Sequence, residues 1–367
     1  MKLQKIFLRG YKSIDNEGQT IDLGNITVLI GANGSGKSNF LSLFSTLNHM
    51  LTGNLQNYIA ARGFADSFLH MGSEATRRFD AEFFLSDEKN EDVYRFTLAH
   101  STGGAMSFVR EEVEWHRTGA GSPFVKLLGN GHKESELAAH DDKTCSVVFH
   151  NLARIRMFHF HNTELTAKIR NNGYIEDDRY LRSDAGNLAA FLYAMQKNEN
   201  RYYRRITDHV REIFPQFRDF DLKPSSANER YIGLNWRAEG SDLLWGPHQI
   251  SDGSLRFMAL VTLLLQPPER MPNVVVLDEP ELGLHPSAIL KLAALLKSVS
   301  YKTQIIVATQ SAMLLNEMDP GDVCVVEFDR HKQSSEYRRV DADALANWLE
   351  DYTLSQLWEK NVLGGKP

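Results

Sequence analysis

The chain has 367 residues, 42% of them hydrophobic and 24% charged, with a net charge of −6. That is enough for two domains or one large α/β domain with an elaborated lobe; it excludes wholesale disorder and confines any nucleic-acid binding to a local patch. Cys145 and Cys324 are too few for a disulfide framework, and no apolar run approaches the roughly 18–20 residues of a membrane span. The opening MKLQKIFLRGYKSI reaches Arg9 before a secretory apolar segment builds, so a cytoplasmic protein without membrane attachment is expected.

Residues 3–8 and 26–30 read as strands, the second running into a glycine-rich turn, Gly31 to Ser38. A helical pattern follows, with Phe40, Leu41, Leu43, Phe44 and Leu47 on one face. Segments 79–85, 93–99, 107–115 and 123–128 alternate or run apolar between turn residues and predict an antiparallel meander. Residues 129–144 are polar and predict a surface loop; 154–160 predict a strand. From Asn187 to Phe217 the spacing is helical and charge-rich. Next come a helix over 250–265, a buried strand over 273–277, a helix over 287–298 and strands over 304–308 and 322–328. Short helical pieces carrying Leu345, Trp348, Leu354 and Trp358 close the chain. Apolar strands alternating with helices indicate an α/β fold with a mostly parallel, helix-covered core sheet. The meander adds an antiparallel β lobe and the charged stretch a helical lobe. The expected division is 1–150, an N-terminal lobe; 151–245, a helical, basic lobe; and 246–367, a C-terminal lobe.

Three motifs carry chemistry. Residues 31–38 fit G-x-x-x-x-G-K-[ST] between a strand and a helix. Such glycines let backbone N–H groups wrap phosphates, Lys37 reaches the β/γ-phosphates, Ser38 holds Mg²⁺, and the helix N-terminus adds its dipole. Asn33, Gly34, Ser35, Gly36 and Asn39 complete the expected nucleotide contacts. Second, Val274–Leu277 bury a strand that delivers Asp278 and Glu279 to the crevice at its C-terminal end. Asp278 would bind Mg²⁺ and Glu279 would polarise the attacking water. Third, Ile250-Ser251-Asp252-Gly253-Ser254 heads a helix. It reads either as an ordinary N-cap or as a phosphate-touching turn, and its spacing to Asp278 favours the latter.

Taken with ATQSAMLL and the tail WLEDYTLSQLWEKNVLGGKP, these motifs give a chain that resembles the RecF/SMC/OLD group of ABC-type P-loop ATPases. The likeness is to the short, stand-alone bacterial AAA-family ATPases of that group, and it spans nearly the whole length. It implies an ATP hydrolase that uses ATP and Mg²⁺. It places Ser251, Gly253 and Ser254 in the signature, Glu281 to His285 in the D-loop region and Gln310 at the switch position, where many relatives have histidine. Asn162 is the expected Q-loop residue and metal contact. In this class the phosphate loop and the signature face different nucleotides, so an ATP-dependent head-to-tail homodimer is implied. A DNA-linked role in repair or anti-phage defence follows by analogy; the alternative is an ATP-gated scaffold for a separately encoded effector nuclease or toxin. OLD-type proteins add a metal-binding nuclease domain, for which the 38 residues after Asp329 are too few. No long heptad stretch is present, so no coiled-coil arm is expected.

Two further features stay open at this level. Segment 151–220 is arginine-rich, and Arg201-Tyr202-Tyr203-Arg204-Arg205 is either a nucleic-acid surface or a solvated helix face paired to nearby acids. His159 and His161 alternate on one strand face, as a metal pair or as packed or phosphate-side histidines. Asp177-Asp178 reads as a loop, and His285, before Pro286, as a helix cap.

Overall fold

A computed structural model of the chain describes residues 1–117, 119 and 121–366. The continuous apolar runs at Ile26–Ile30, Val274–Asp278 and Gln304–Ala308 have no polar face to offer water, and they become the middle of a six-stranded sheet. Across that sheet the order is Ser334–Arg339, Val323–Asp329, Ile26–Ile30, Gln304–Ala308, Val274–Asp278 and Ile155–Phe158. All neighbours pair in parallel except the outermost pair, Val323–Asp329 with Ser334–Arg339.

The period-2 geometry of these strands divides their side chains between two cores. Ile26, Val28, Ile30, Val275, Leu277, Ile305 and Val307 enter one core. Leu29, Val274, Val276, Ile306 and Ala308 enter the other. On the first face lie the helices Leu188–Asn198, Asn200–Ile213, Asp252–Leu265 and Pro286–Val299. Asp252–Leu265 is apolar almost all round and is buried from Leu255 to Leu265, as a helix enclosed by others must be. The second face is covered by the helices Lys37–Leu51 and Lys143–Ala153 and by a six-stranded antiparallel sheet. That sheet runs Gln19–Asp22, Lys2–Arg9, Arg78–Ser86, Asn90–His100, Met106–Arg117 and Phe124–Gly129. Buried Gln304 ties the two sheets: its amide accepts from Leu3 N (2.7 Å) and donates to Leu3 O (2.9 Å) and Gly24 O (3.1 Å).

The parallel core, the meander and the covering helices match the expected α/β architecture. Three details differ. The helical stretch from Asn187 to Phe217 is two helices parted at Glu199, and Phe217 opens a strand, Phe217–Phe220. Lys143–Ala153 is a helix, where the sequence predicts no element beyond 144; Asp142 caps it by accepting from Cys145 N at 3.0 Å. Ser334–Arg339 is a strand despite its polar composition, because an edge strand needs only one buried neighbour. Among the described residues no helix is long and apolar enough to cross a membrane.

Candidate functional site

The glycine-rich turn leaves the Ile26–Ile30 strand at the centre of the parallel sheet and enters the Lys37–Leu51 helix. Two glycines are sterically required. A Cβ on Gly31 would lie 2.2 Å from Val326 O, and one on Gly36, at φ 116°, would lie 2.2 Å from Ser335 Oγ. The polar edge strand supports the loop from outside: Ser335 Oγ donates to Ser35 O (2.6 Å) and the Tyr337 hydroxyl to Gly36 O (2.8 Å). Lys37 is only 6% exposed and donates to Gly31 O (2.7 Å) and Ala32 O (3.0 Å), curled over its own loop. Burial lowers its pKa, and the carboxylates of Glu279, Asp278 and Glu281 oppose that shift. Ser35 Oγ is buried with no hydrogen-bond partner among the described residues, and no side chain caps the helix at Gly36. A glycine-rich turn at a helix N-terminus, a buried ammonium and an orphan hydroxyl suit a polyphosphate. Ser38 lies exposed in the first helical turn, while Asn39 is half-buried with its carbonyl accepting from Ser42 Oγ (2.6 Å).

Two strands away in the same sheet, Val274–Asp278 delivers its acids beside this loop. Glu279 holds a left-handed φ of 40°, with its N–H donating to Ala308 O (2.8 Å), so the chain turns sharply at the strand end. Gln310 Nε2 donates both to Glu279 Oε1 (2.6 Å) and to Asn33 Oδ1 (2.6 Å). One amide thus joins the glycine-rich loop, the acidic strand end and the segment after the Gln304–Ala308 strand, which lie far apart in sequence. Below it, buried Glu281 accepts from Thr309 Oγ1 (2.5 Å) and Gln310 N (3.3 Å). This contact fixes the backbone of the residue that makes the bridge. Burial raises the pKa of Asp278, against the opposing pull of His161, His159 and Lys37.

The Ser251–Ser254 turn lies elsewhere. Ser251 caps the Asp252–Leu265 helix, accepting from Ser254 N (3.1 Å), and stays exposed. No hydrogen bond among the described residues joins it to 31–38. A Cβ on Gly253 would lie 2.3 Å from Gly283 O, so the helix head packs against the 281–284 segment. Arg170, 5% exposed, holds the turn through the carbonyls of Thr163 (2.7 Å), Pro247 and Ile250 (3.1 Å) and through Asp252 Oδ1 (2.6 Å). Arg256, one helical turn on, donates to Phe160 O (2.8 Å) and His161 O (2.9 Å). Neither arginine carries a motif, so the sequence gives no signal for these anchors.

The other expectations resolve unevenly. Asn162 is exposed, and its side chain turns back to accept from Glu164 N (3.3 Å), while the adjacent His161 reaches the Asp278 carbonyl. His285 caps the Pro286–Val299 helix, and Asp177-Asp178 lies in a loop. Within 201–205, Tyr203 is 3% exposed and donates to Asp219 Oδ1 (2.6 Å), so it offers no stacking face. Arg201, Arg204 and Arg205 are exposed and make no ion pair among the described residues. Arg154, Arg156, Arg179, Arg182 and Arg270 instead line a cavity of about 800 Å³ beside the Ile155–Phe158 edge strand.

Residues 1–181 match the family model described as "AAA ATPase domain", and residues 146–316 match one described as "AAA domain, putative AbiEii toxin, Type IV TA system". Together the two models span residues 1–316, so the chain is similar to AAA-type ATPase domains, and its fold is that of an SMC-type P-loop ATPase head. Its fold is similar to that of an Smc head bound to the C-winged helix domain of ScpA, at TM-score 0.63 and 16% identity, covering 95% of this chain and 100% of that one. An Smc head with an extended coiled coil, bound to the C-terminal domain of ScpA and derived from Pyrococcus furiosus, gives 0.60 at 14% identity, covering 95% and 99%. The SMC head from Thermotoga maritima gives 0.50 at 16% identity, covering 93% and 100%. No curated protein matches the chain.

Proposed function

We propose that the protein is an ATP hydrolase whose working site is composite, built from the phosphate loop of one copy and the Ser251–Ser254 turn of another. The carrying observation is the Gln310 bridge between Asn33 and Glu279, because it assembles cradle, acid and switch within one chain. The exposed signature turn, which makes no hydrogen bond to its own loop among the described residues, supports a second copy as the completing element.

In this reading the phosphates displace Lys37 from the Gly31 and Ala32 carbonyls, and the ammonium and loop N–H groups neutralise the β/γ charge. Ser38 and Asp278 would hold Mg²⁺, which supplies charge neutralisation on the phosphates; an exposed hydroxyl and a carboxylate without a side-chain partner among the described residues fit that hard cation. Glu279 orients and polarises the attacking water, and Gln310 leaves its bridge to read the γ-phosphate, as a neutral amide rather than a cation. Ser251, Gly253 and Ser254 of the second copy cap that phosphate with a helix N-terminus. ATP then closes a head-to-tail pair and hydrolysis opens it. The setting we infer is cytoplasmic, with DNA as the ligand of the switch, in repair or defence. The partial match to a toxin-system AAA domain supports the second reading, a nucleotide-gated regulator of a separate effector.

The test is a mixture of two inactive proteins, Lys37→Ala and Ser251→Arg. Each lacks one half of a composite site, and their heterodimer regains one intact site. Partial recovery of turnover on titrating one into the other is the expected result. No recovery, with heterodimers verified by mass, refutes the trans arrangement.

A further inference from the structure

The Ile155–Phe158 strand pairs with Val274–Asp278 in parallel register, Phe158 against Leu277. Extending that register by one residue brings His159 level with Asp278, and the two-residue alternation returns His161 to the same side. A ring nitrogen of His159, a ring nitrogen of His161 and an Asp278 carboxylate oxygen lie within 4.8 Å of one another. We propose that these three side chains form a binding site for a divalent first-row transition-metal ion, filled without nucleotide and distinguished from the Ser38 site, with which it shares Asp278, by its two imidazole donors.

Four features support it. His161 Nε2 sits 2.8 Å from the Asp278 carbonyl, which only accepts, so this nitrogen carries the proton and Nδ1 keeps its lone pair for a metal. A ligating histidine ordinarily fixes its tautomer through such a bond. The Asp278 carboxylate has no hydrogen bond or ion pair among the described residues, a costly state for a half-buried charge that a cation relieves. The backbone between the histidines is pinned by Arg256 at the Phe160 and His161 carbonyls, so the spacing of the two residues along the strand end is fixed by packing. His159 is exposed and lines the 800 Å³ cavity, so the site is open to solvent on that side, and its free ring can turn toward an ion held at the roughly 2.0–2.2 Å of metal–ligand bonds.

The donor set selects the ion. Mg²⁺ demands octahedral oxygen ligation and keeps its waters, whereas two imidazoles and one carboxylate with open positions suit Mn²⁺, Fe²⁺, Co²⁺, Ni²⁺ or Zn²⁺. The proposal extends past ATP hydrolysis and does not depend on it.

Mn²⁺ titrated into the nucleotide-free full-length protein, followed by electron paramagnetic resonance, tests it. The expected result is one bound ion per chain, with nitrogen hyperfine modulation from imidazole in the pulsed spectrum and retention against excess Mg²⁺. His159→Ala, at an exposed position, weakens binding by about tenfold or more. Lys37→Ala leaves Mn²⁺ binding intact while removing ATP binding, so failure of the metal site and failure of the ATP reading are separable. Binding only with nucleotide, binding without nitrogen coupling, or displacement by stoichiometric Mg²⁺ overturns the proposal.

Discussion

Replacing Arg170 with methionine keeps its buried stem and removes the guanidinium that organises the Ser251–Ser254 turn. Three of its acceptors are carbonyls of buried residues, Thr163, Pro247 and Ile250; the fourth, on Asp252, has a side chain 66% exposed, and water replaces the bond there. Hydrogen bonds from a charged donor contribute about 1.5–3 kcal/mol each and do not add when made by one group. Breaking a buried charge pair costs about 3–5 kcal/mol, and the exposed Asp252 places this case at the low end, about 3 kcal/mol. That is about two powers of ten in the equilibrium between ordered and open turn. Hydrogen exchange at 247–254 should therefore accelerate on the order of a hundredfold, measured by mass spectrometry under native conditions. Nucleotide affinity at 31–38 should hold, since no hydrogen bond among the described residues joins Arg170 to that loop, while turnover falls by about tenfold or more. Wild-type exchange with wild-type turnover would refute the anchoring role, and loss of ATP binding in step with turnover would refute the trans signature.

Glu279→Gln should bind ATP, turn over slowly and remain dimeric by light scattering in ATP; normal turnover removes Glu279 from the water-polarising role. Asp92 is buried with Oδ1 unpartnered, and burial raises its pKa to about 6. A folded-state pKa above the ordinary value of 3.8 means its stability contribution is present below that value and is lost as pH rises to about 6. Asp92→Asn should flatten that part of the melting-temperature profile, and an unchanged slope counts against the assignment. For polyanion binding, charge reversal at Arg156 and Arg179 in the cavity is compared with reversal at Arg201, Arg204 and Arg205 on the helix. Removing one cation from a single-strand phosphate lowers the log–log salt slope by about 0.7. Because Tyr203 is buried, the cavity set should have the larger effect on single-stranded DNA, and equal effects argue against the cavity as the groove.

The phosphate loop, the acidic strand end and the parallel core were legible along the chain because each is a local pattern. A buried parallel strand must be continuously apolar, and a phosphate cradle must have glycine where a Cβ meets neighbouring atoms, as at Gly31 and Gly36. The Lys143–Ala153 helix and the Ser334–Arg339 strand were not legible, since tertiary packing overrides weak local propensity in short segments. The same limit explains the stretch around Tyr203, whose aromatic face the sequence leaves free and packing against Asp219 removes.

By itself, the sequence determined the α/β class, the glycine-rich strand–turn–helix at 31–38 and the placing of His159 and His161 on one face. Tertiary structure alone decided that Asp278 joins those histidines, that Gln310 bridges Asn33 to Glu279, and that Arg170 and Arg256 hold the Ser251–Ser254 and histidine segments. The physical reason is distance along the chain. Lys37 and Asp278 are 241 residues apart, and strand order in a crossed parallel sheet, which no local pattern encodes, sets which strand ends become neighbours.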